Sequence, residues 1–216
     1  MNNFKVIIVE DVPLELKGTE GIFRNDIPEA QIIGTAENEV DYWKLIKKEL
    51  PDLVLLDLGL GGSTTVGVEI CRHTKESYPN VKVLIFTGEI LNEKLWLDVL
   101  DAGCDGIEFD VHLSKDGEAI IIHDETVDRT TDGTGLVGQK TYRELKTLNA
   151  AKPHPETIDF AQIPSLREYF EYMTEQPDII SNIELKTGVF VYEGIEEVVC
   201  RLMKEYGLID RCIVSS

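Results

Sequence analysis

The chain has 216 residues, of which 43% are hydrophobic, so it can bury a core and is not expected to be disordered. Its 21 basic and 40 acidic residues give a formal net charge of -19. So negative a surface would repel nucleic-acid phosphates and anionic membranes, and we expect neither as a partner. The four cysteines form no CxxC pair, and the sequence begins without a signal-peptide pattern. We therefore expect reduced cysteines in a cytoplasmic protein.

Apolar runs bounded by turn residues alternate with segments of helical periodicity along the chain. This alternation predicts an α/β fold with a parallel sheet built from βα units. The predicted strands are residues 5–10, 31–36, 53–58, 82–87, 106–111, 119–123, 180–186 and 212–215. The predicted helices are residues 13–24, 38–49, 66–77, 92–102, 141–148, 165–176 and 193–206, with Gly103 as a C-terminal cap of the fourth.

A first group of polar residues follows the strands of the N-terminal half. Glu10 and Asp11 follow the first strand, Asp57 ends the third, and Thr87 ends the fourth. Open α/β sheets bind ligands at the carboxyl ends of their strands, and clustered carboxylates there can hold Mg²⁺. Beside such a metal, Asp57 could attack a phosphoryl donor and form an aspartyl phosphate.

Over residues 4–106 this arrangement resembles the response-regulator receiver domains, which have a flavodoxin-like fold. The resemblance implies that Asp57 is the phospho-acceptor, the two acids after the first strand are metal-site residues, and the threonine is the switch hydroxyl. The family carries a lysine at the end of its fifth strand. Counting from Gly106, that place holds Asp110, so the charge that would meet the phosphoryl group is reversed. The alternative interpretation is an inherited scaffold without phosphoryl transfer.

A second group lies in the C-terminal half. Glu108 and Asp110 are two residues apart on one strand and therefore point to the same side, and Glu184 and Lys186 repeat that spacing on another. His123 ends the strand between them. Three carboxylates favour a Ca²⁺ or Mg²⁺ site, a histidine can transfer a proton, and a lysine can neutralise phosphate. Together these residues indicate metal-assisted phosphodiester cleavage, with a structural Glu184–Lys186 ion pair as the competing interpretation.

From residue 105 to the end, the chain resembles the glycerophosphodiester phosphodiesterases, which are TIM barrels. The matching segments are residues 105–117, 122–124, 128–135, 163–166 and 183–186. The resemblance implies that the three carboxylates are ligands of a divalent metal, Ca or Mg, and that His123 is one of two catalytic histidines. It implies a phosphate contact for Lys186 and a small phosphodiester as the substrate.

The chain departs from this family at the start of the match. There the family has a strand ending in His-Arg-Gly, whereas this chain reads Phe86-Thr87-Gly88, so that only the glycine corresponds. The second catalytic histidine and a phosphate-binding arginine are thus replaced, and we expect the later strands of the family barrel to be absent. Losing one partner of an acid–base pair typically costs a factor of ~10² to 10⁴ in rate.

About eight strands in total predict a TIM-barrel-like (βα)₈ fold, assembled from a receiver-like fragment, residues 1–105, and a phosphodiesterase-like fragment, residues 106–216. The receiver strand order 2-1-3-4-5 would have to rearrange to the barrel order 1-2-3-4. Otherwise two sub-domains would remain, with exposed strand edges that favour a homodimer.

Three functions stay open on the sequence. The first is an engineered or recombined hybrid scaffold whose native activity is lost or residual. The second is a metal-dependent hydrolase of glycerophosphodiesters, and the third is a phospho-accepting receiver. The replaced histidine and arginine, and Asp110 in the place of a lysine, favour the first.

Overall fold

A computed structural model describes residues 3–88, 93–152, 159–176 and 178–216. It separates into two compact units. Unit 1 comprises residues 1–87 and 98–106, and unit 2 comprises residues 88–97 and 107–216. Across the described residues, no helix has both the length and the apolar character needed to cross a bilayer.

The four strands of unit 1 are β1 (Phe4–Val9), β2 (Ala30–Ala36), β3 (Leu53–Leu56) and β4 (Lys82–Phe86). They are parallel and lie in the order β2-β1-β3-β4, and their apolar runs fit strands that are covered on both faces. Our expectation that this half rearranges to the barrel order 1-2-3-4 is wrong, because β1 pairs on one side with β2 and on the other with β3. Val6 of β1 lies opposite Leu53 of β3.

The helices of unit 1 lie close to their predicted positions. Asn38 begins one of them by accepting a hydrogen bond from the backbone N–H of Asp41 (3.0 Å), and Gly103 follows another with φ +84°, which glycine adopts without strain. Asp105 accepts hydrogen bonds from the ammonium groups of Lys75 (2.7 Å) and Lys82 (2.8 Å). The helices are α1 (Pro13–Asp26), α2 (Glu39–Lys48), α3 (Thr64–Ser77) and α4 (Glu93–Asp101), the last of which begins in unit 2.

Unit 2 holds the other four strands, which are β5 (Gly106–Leu113), β6 (Ala119–Ile121), β7 (Ile180–Leu185) and β8 (Cys212–Ser215). They lie in the order β6-β5-β7-β8, and β7 pairs with β8 in parallel. The prediction that β6 is parallel to its neighbour is wrong, since β6 runs antiparallel to β5. The link between them, residues 114–118, is a tight turn, and a parallel connection needs a crossover of a dozen or more residues.

Three helices pack in unit 2: α5 (Tyr142–Leu145), α6 (Leu166–Met173) and α7 (Ile195–Glu205). Thr141 and Ser165 begin α5 and α6 with capping boxes, in which the side chain at the helix start and the glutamate three residues later satisfy each other's backbone N–H groups. Beneath the loops after β6 lies a core that includes Ile120, Ile122 and Val137. Across the described residues, eight mostly parallel strands and seven α-helices define an α/β fold.

Candidate metal centres and active site

The first group of acids lies together in unit 1, as the sequence suggested. Glu10 and Asp11 directly follow β1, and Asp57 directly follows β3. One carboxylate oxygen from each lies within 4.8 Å of the others. Thr87 directly follows β4 and is buried. We call the three acids cluster 1.

Backbone N–H groups of the adjoining loops hold cluster 1. Glu10 accepts a hydrogen bond from Val12 (2.8 Å), Asp57 from Gly59 (3.0 Å), and Asp11 from Gly61 (2.6 Å). Burial raises the pKa of Glu10 to about 7, and the negative charge of Asp57 adds to this effect. The cluster therefore carries an excess of negative charge that a cation would offset.

The second group of acids lies together in unit 2. Glu108 and Asp110 are each only 5% exposed, and carboxylate oxygens of these two and of Glu184 lie within 4.8 Å of one another. We call these three acids cluster 2. The predicted strand ends at residue 111, whereas β5 continues to Leu113 and places Glu108 and Asp110 in its interior.

Lys186, expected as a phosphate contact, lies between two members of cluster 2. Its Nζ is 2.7 Å from Asp110 Oδ1 and 2.6 Å from Glu184 Oε1, which is the ion pair that the sequence left as an alternative. Although burial acts in the opposite direction, the two carboxylates raise the pKa of Lys186 above its usual value. The lysine is therefore positively charged and held by the carboxylates of Asp110 and Glu184.

Glu108 lies beside the other two carboxylates of cluster 2. Burial, together with the charges of Asp110 and Glu184, raises its pKa to about 8. Burial also raises the pKa of Asp110, against the opposing effect of Lys186. Three hard oxygen donors whose charges are destabilised by burial and by each other fit a Ca²⁺ or Mg²⁺ ion.

His123 follows β6 by two residues and is about half exposed. Its Nδ1 lies 2.8 Å from Asp124 Oδ1, and Asp124 in turn accepts hydrogen bonds from Arg129 Nε (2.7 Å) and Nη2 (3.0 Å). The hydrogen bonds from Arg129 outweigh burial and lower the pKa of Asp124 to about 2. Because Asp124 is held as an anion, it orients the His123 ring through Nδ1 and leaves Nε2 for proton transfer.

Gly88, which the sequence aligned with the last residue of the family's His-Arg-Gly, lies beside this histidine. A Cβ atom at Gly88 would come 3.7 Å from His123 Cδ2, and Arg129 Nη2 donates a hydrogen bond to the Gly88 carbonyl (3.1 Å). Sequence reasoning did not find the roles of Asp124 and Arg129. The signal it could have used is the pair of charged residues in the turn-rich segment that begins at His123.

Comparisons with known proteins agree with both halves of this description. The model of the response regulator receiver domain matches residues 6–116, and that of the glycerophosphoryl diester phosphodiesterase family matches residues 97–214. Each match covers more than half of the chain, and the two overlap at residues 97–116. The chain belongs to both families.

Several curated relatives of this chain are glycerophosphodiester phosphodiesterases by name. A glycerophosphodiester phosphodiesterase from Caldanaerobacter subterraneus subsp. tengcongensis is 46% identical over 54% of this chain and 48% of its own length. One from Bacillus altitudinis is 44% identical over 67% of this chain and 55% of its own. The chain spans about half the length of the curated relatives it matches.

A solved structure shares part of this fold. The glycerophosphoryl diester phosphodiesterase domain of an uncharacterized protein from Mycobacterium tuberculosis superposes with a TM-score of 0.50 and 24% identity, covering 57% of this chain and 46% of that one. At that identity the likeness concerns the fold alone. The phosphodiesterase family is metal-dependent, which agrees with the donor set of cluster 2.

Proposed function

We propose that the chain is a recombined hybrid of a receiver and a phosphodiesterase, and that its remaining reaction is slow, metal-dependent hydrolysis of glycerophosphodiesters by unit 2. The observation that carries this proposal is the grouping of cluster 2 with the Lys186 ammonium in a unit that also holds an oriented histidine. Packing alone gives no reason to bury Glu108 and Asp110 on one face of β5.

The roles follow from the contacts. Cluster 2 would hold the divalent ion, which when bound polarises a phosphoryl oxygen of the substrate. The Lys186 ammonium lies close enough to this cluster to neutralise a second, non-bridging phosphate oxygen. His123 keeps Nδ1 on Asp124, so the proton that moves during P–O cleavage is exchanged at Nε2.

The same residues explain why the reaction would be slow. One proton-transferring histidine is oriented in unit 2, whereas the family uses two. The places of the second histidine and of the arginine hold Phe86 and Thr87. The expected loss is a factor of ~10² to 10⁴ in rate relative to an enzyme with both histidines.

A second candidate function is phosphoryl acceptance at Asp57, favoured by the geometry of cluster 1. Three carboxylates grouped after β1 and β3 could hold Mg²⁺ next to the Asp57 oxygen that would take the phosphoryl group. We rank it second because Asp110, in the place of the family's lysine, belongs to cluster 2 and pairs with Lys186.

The decisive experiment is hydrolysis of glycerophosphoethanolamine with Mg²⁺ or Ca²⁺, followed through the release of glycerol phosphate. His123→Ala should abolish turnover, and chelation of the metal should do the same. The matched control is His73→Ala, which removes a half-exposed histidine on α3 whose Nε2 lies 3.6 Å from a carboxylate oxygen of Glu69. Turnover that survives in the His123 variant would contradict the proposal.

A further inference from the structure

A buried chain of polar groups lies directly behind His123. His112 on β5 is fully buried, its Nε2 lies 3.2 Å from the backbone carbonyl oxygen of His123, and its Nδ1 lies 3.2 Å from the hydroxyl of Tyr192. The Tyr192 hydroxyl is also 3.3 Å from a carboxylate oxygen of Glu125. The rings of His112 and Tyr192 meet edge to face, with centroids 5.5 Å apart.

These contacts fix a proton on one ring nitrogen of His112. A carbonyl oxygen can only accept a hydrogen bond, so His112 Nε2 must carry a proton and donate it to the His123 carbonyl. Nδ1 lies 3.2 Å from the hydroxyl of Tyr192, which donates its proton to Glu125 (3.3 Å), and 3.5 Å from a Glu125 carboxylate oxygen. Both ring nitrogens therefore have a polar partner, and the ring is held from two sides.

The position of the His123 ring depends on its backbone. The chain leaves β6 at Ile122, whose N–H donates to the Asp110 carbonyl (3.2 Å), and the half-exposed ring of His123 is hydrogen-bonded to Asp124. Asp124 is the next residue in the chain, so it shares whatever displacement the His123 backbone undergoes. A contact from β5 to the His123 carbonyl would help to set where the ring lies relative to cluster 2.

We propose that His112 is a positioning residue that supplies this anchor, by holding the His123 carbonyl through Nε2–H while Tyr192 fixes the ring from the other side. This proposal rests on the proposed function in one respect, which is the role of His123 in proton transfer. The anchor itself is a structural claim that can be tested without turnover. Partners that orient a functional histidine from behind commonly change activity ~10- to 100-fold when removed.

Two substitutions at His112 separate positioning from packing. His112→Gln retains an amide N–H that can donate to the His123 carbonyl and an amide oxygen that can accept from Tyr192, whereas His112→Leu fills the space with neither group. Tyr192→Phe removes only the hydroxyl and serves as the milder variant if His112→Leu does not fold. Folding of each variant is checked by urea unfolding.

The first measurement is NMR of the histidine rings in the full chain, without metal or substrate. Long-range ¹⁵N–¹H correlation should show His112 protonated at Nε2. The ring signals of His123 should shift or broaden in the leucine variant and in Tyr192→Phe but stay close to wild type in the glutamine variant. A His112 without a proton on Nε2, or His123 signals that are the same in every variant, would overturn the proposal.

The second measurement is the kinetic split with glycerophosphoethanolamine and Mg²⁺. The leucine variant should lose kcat by ~10-fold or more with little change in KM or in Mg²⁺ affinity, and the glutamine variant should recover most of it. Equal losses in kcat, KM and Mg²⁺ affinity for both substitutions would mean a packing role and overturn the proposal. If the wild type itself shows no turnover, the proposed function fails, and the NMR result still decides whether His112 anchors His123.

Discussion

The two acidic clusters both consist of three carboxylates, but different groups stabilise their negative charge. In cluster 1, backbone N–H groups of Val12, Gly59 and Gly61 donate to the carboxylates, and the loop around Gly61 is shaped by a positive φ of +63°. In cluster 2, the ammonium of Lys186 lies between two of the carboxylates. Backbone amides orient oxygens without cancelling their charge, whereas a lysine supplies a full positive charge.

The difference bears on which cluster can do chemistry. Cluster 2 pairs with the Lys186 ammonium and lies in the same unit as an oriented histidine. Carboxylates, a cation and a histidine are three of the parts that the proposed phosphodiester cleavage would use. Asp110 shows the conflict between the two families. The residue that the receiver alignment expects to be a lysine is here an acid that a phosphodiesterase would use as a ligand. One position cannot serve both roles.

The largest expected effect comes from restoring the two residues that the phosphodiesterase half lacks. The double variant Phe86→His/Thr87→Arg recreates the family's His-Arg-Gly ahead of Gly88, which lies beside His123. We expect hydrolysis of glycerophosphoethanolamine to rise ~10² to 10⁴-fold, because a second acid–base partner becomes available. The measurement is kcat/KM in Mg²⁺ or Ca²⁺.

The matched control for this gain is Phe86→Gln/Thr87→Arg, which introduces the arginine and a polar side chain without a titratable imidazole. Phe86 is 40% exposed and Thr87 is buried, so the melting temperature must be compared for all three proteins. If the double variant folds but turns over no faster than the glutamine control, the replaced histidine is not what limits the rate of hydrolysis by unit 2.

The next largest effect is expected from Asp110→Asn. A neutral amide removes one negative donor from cluster 2 and one ion-pair partner of Lys186, so we expect kcat to fall at least ~100-fold, equivalent to about 2.7 kcal/mol of transition-state stabilisation. Mg²⁺ affinity, measured by calorimetry, should fall in parallel. Glu196→Gln, a change of the same chemistry in the first turn of α7, is the control. Unchanged Mg²⁺ binding at unit 2 in the Asp110 variant would remove that residue from the ligand set.

Particular residues show how much of the fold and of the candidate site could be predicted from the sequence. The strands of unit 1 were predictable because Val, Ile and Leu form continuous runs between turn residues. The members of cluster 1 were found because they follow strands, and those of cluster 2 from a two-residue spacing together with the family resemblance. The antiparallel β6 was missed because an apolar run does not reveal its direction, although the short turn at residues 114–118 does. The contacts of His112 and Arg129 were missed because they join residues with no periodic relation, such as His112 and Tyr192, 80 positions apart.

A smaller effect is expected on the free energy of unfolding. It tests whether lysines stabilise a carboxylate in unit 1, at Asp105, as Lys186 does in cluster 2. Asp105 accepts hydrogen bonds from Lys75, Lys82 and the Val83 N–H; although burial opposes them, they lower its pKa below the usual value. We expect Asp105→Asn to lower the free energy of unfolding by about 1–2 kcal/mol at pH 7. Urea unfolding measures this, with Asp101→Asn at the exposed end of α4 as the control.

The pH dependence of that contribution has a definite sign. Because the folded-state pKa of Asp105 is depressed, its stabilisation is present in full above the unfolded pKa of ~3.9 and is lost as the pH falls through the folded value. The difference between wild type and Asp105→Asn should therefore be constant from pH 6 to 8 and shrink below about pH 4. A difference that grows on acidification would contradict this account of the Lys75–Asp105–Lys82 contacts.

The smallest effect is expected at Asp57. Beryllium fluoride with Mg²⁺ mimics a phosphoryl group on a carboxylate, and its negative charge needs a positive partner in addition to the metal. The receiver alignment puts Asp110 where that partner should be, so we expect no bound ¹⁹F signal beyond that of Asp57→Asn. A bound signal in the wild type that disappears in Asp57→Asn would show that cluster 1 works with backbone amides and metal alone. Cluster 1 would then be a phosphoryl-accepting site in its own right, and the ranking of the two clusters would be reversed.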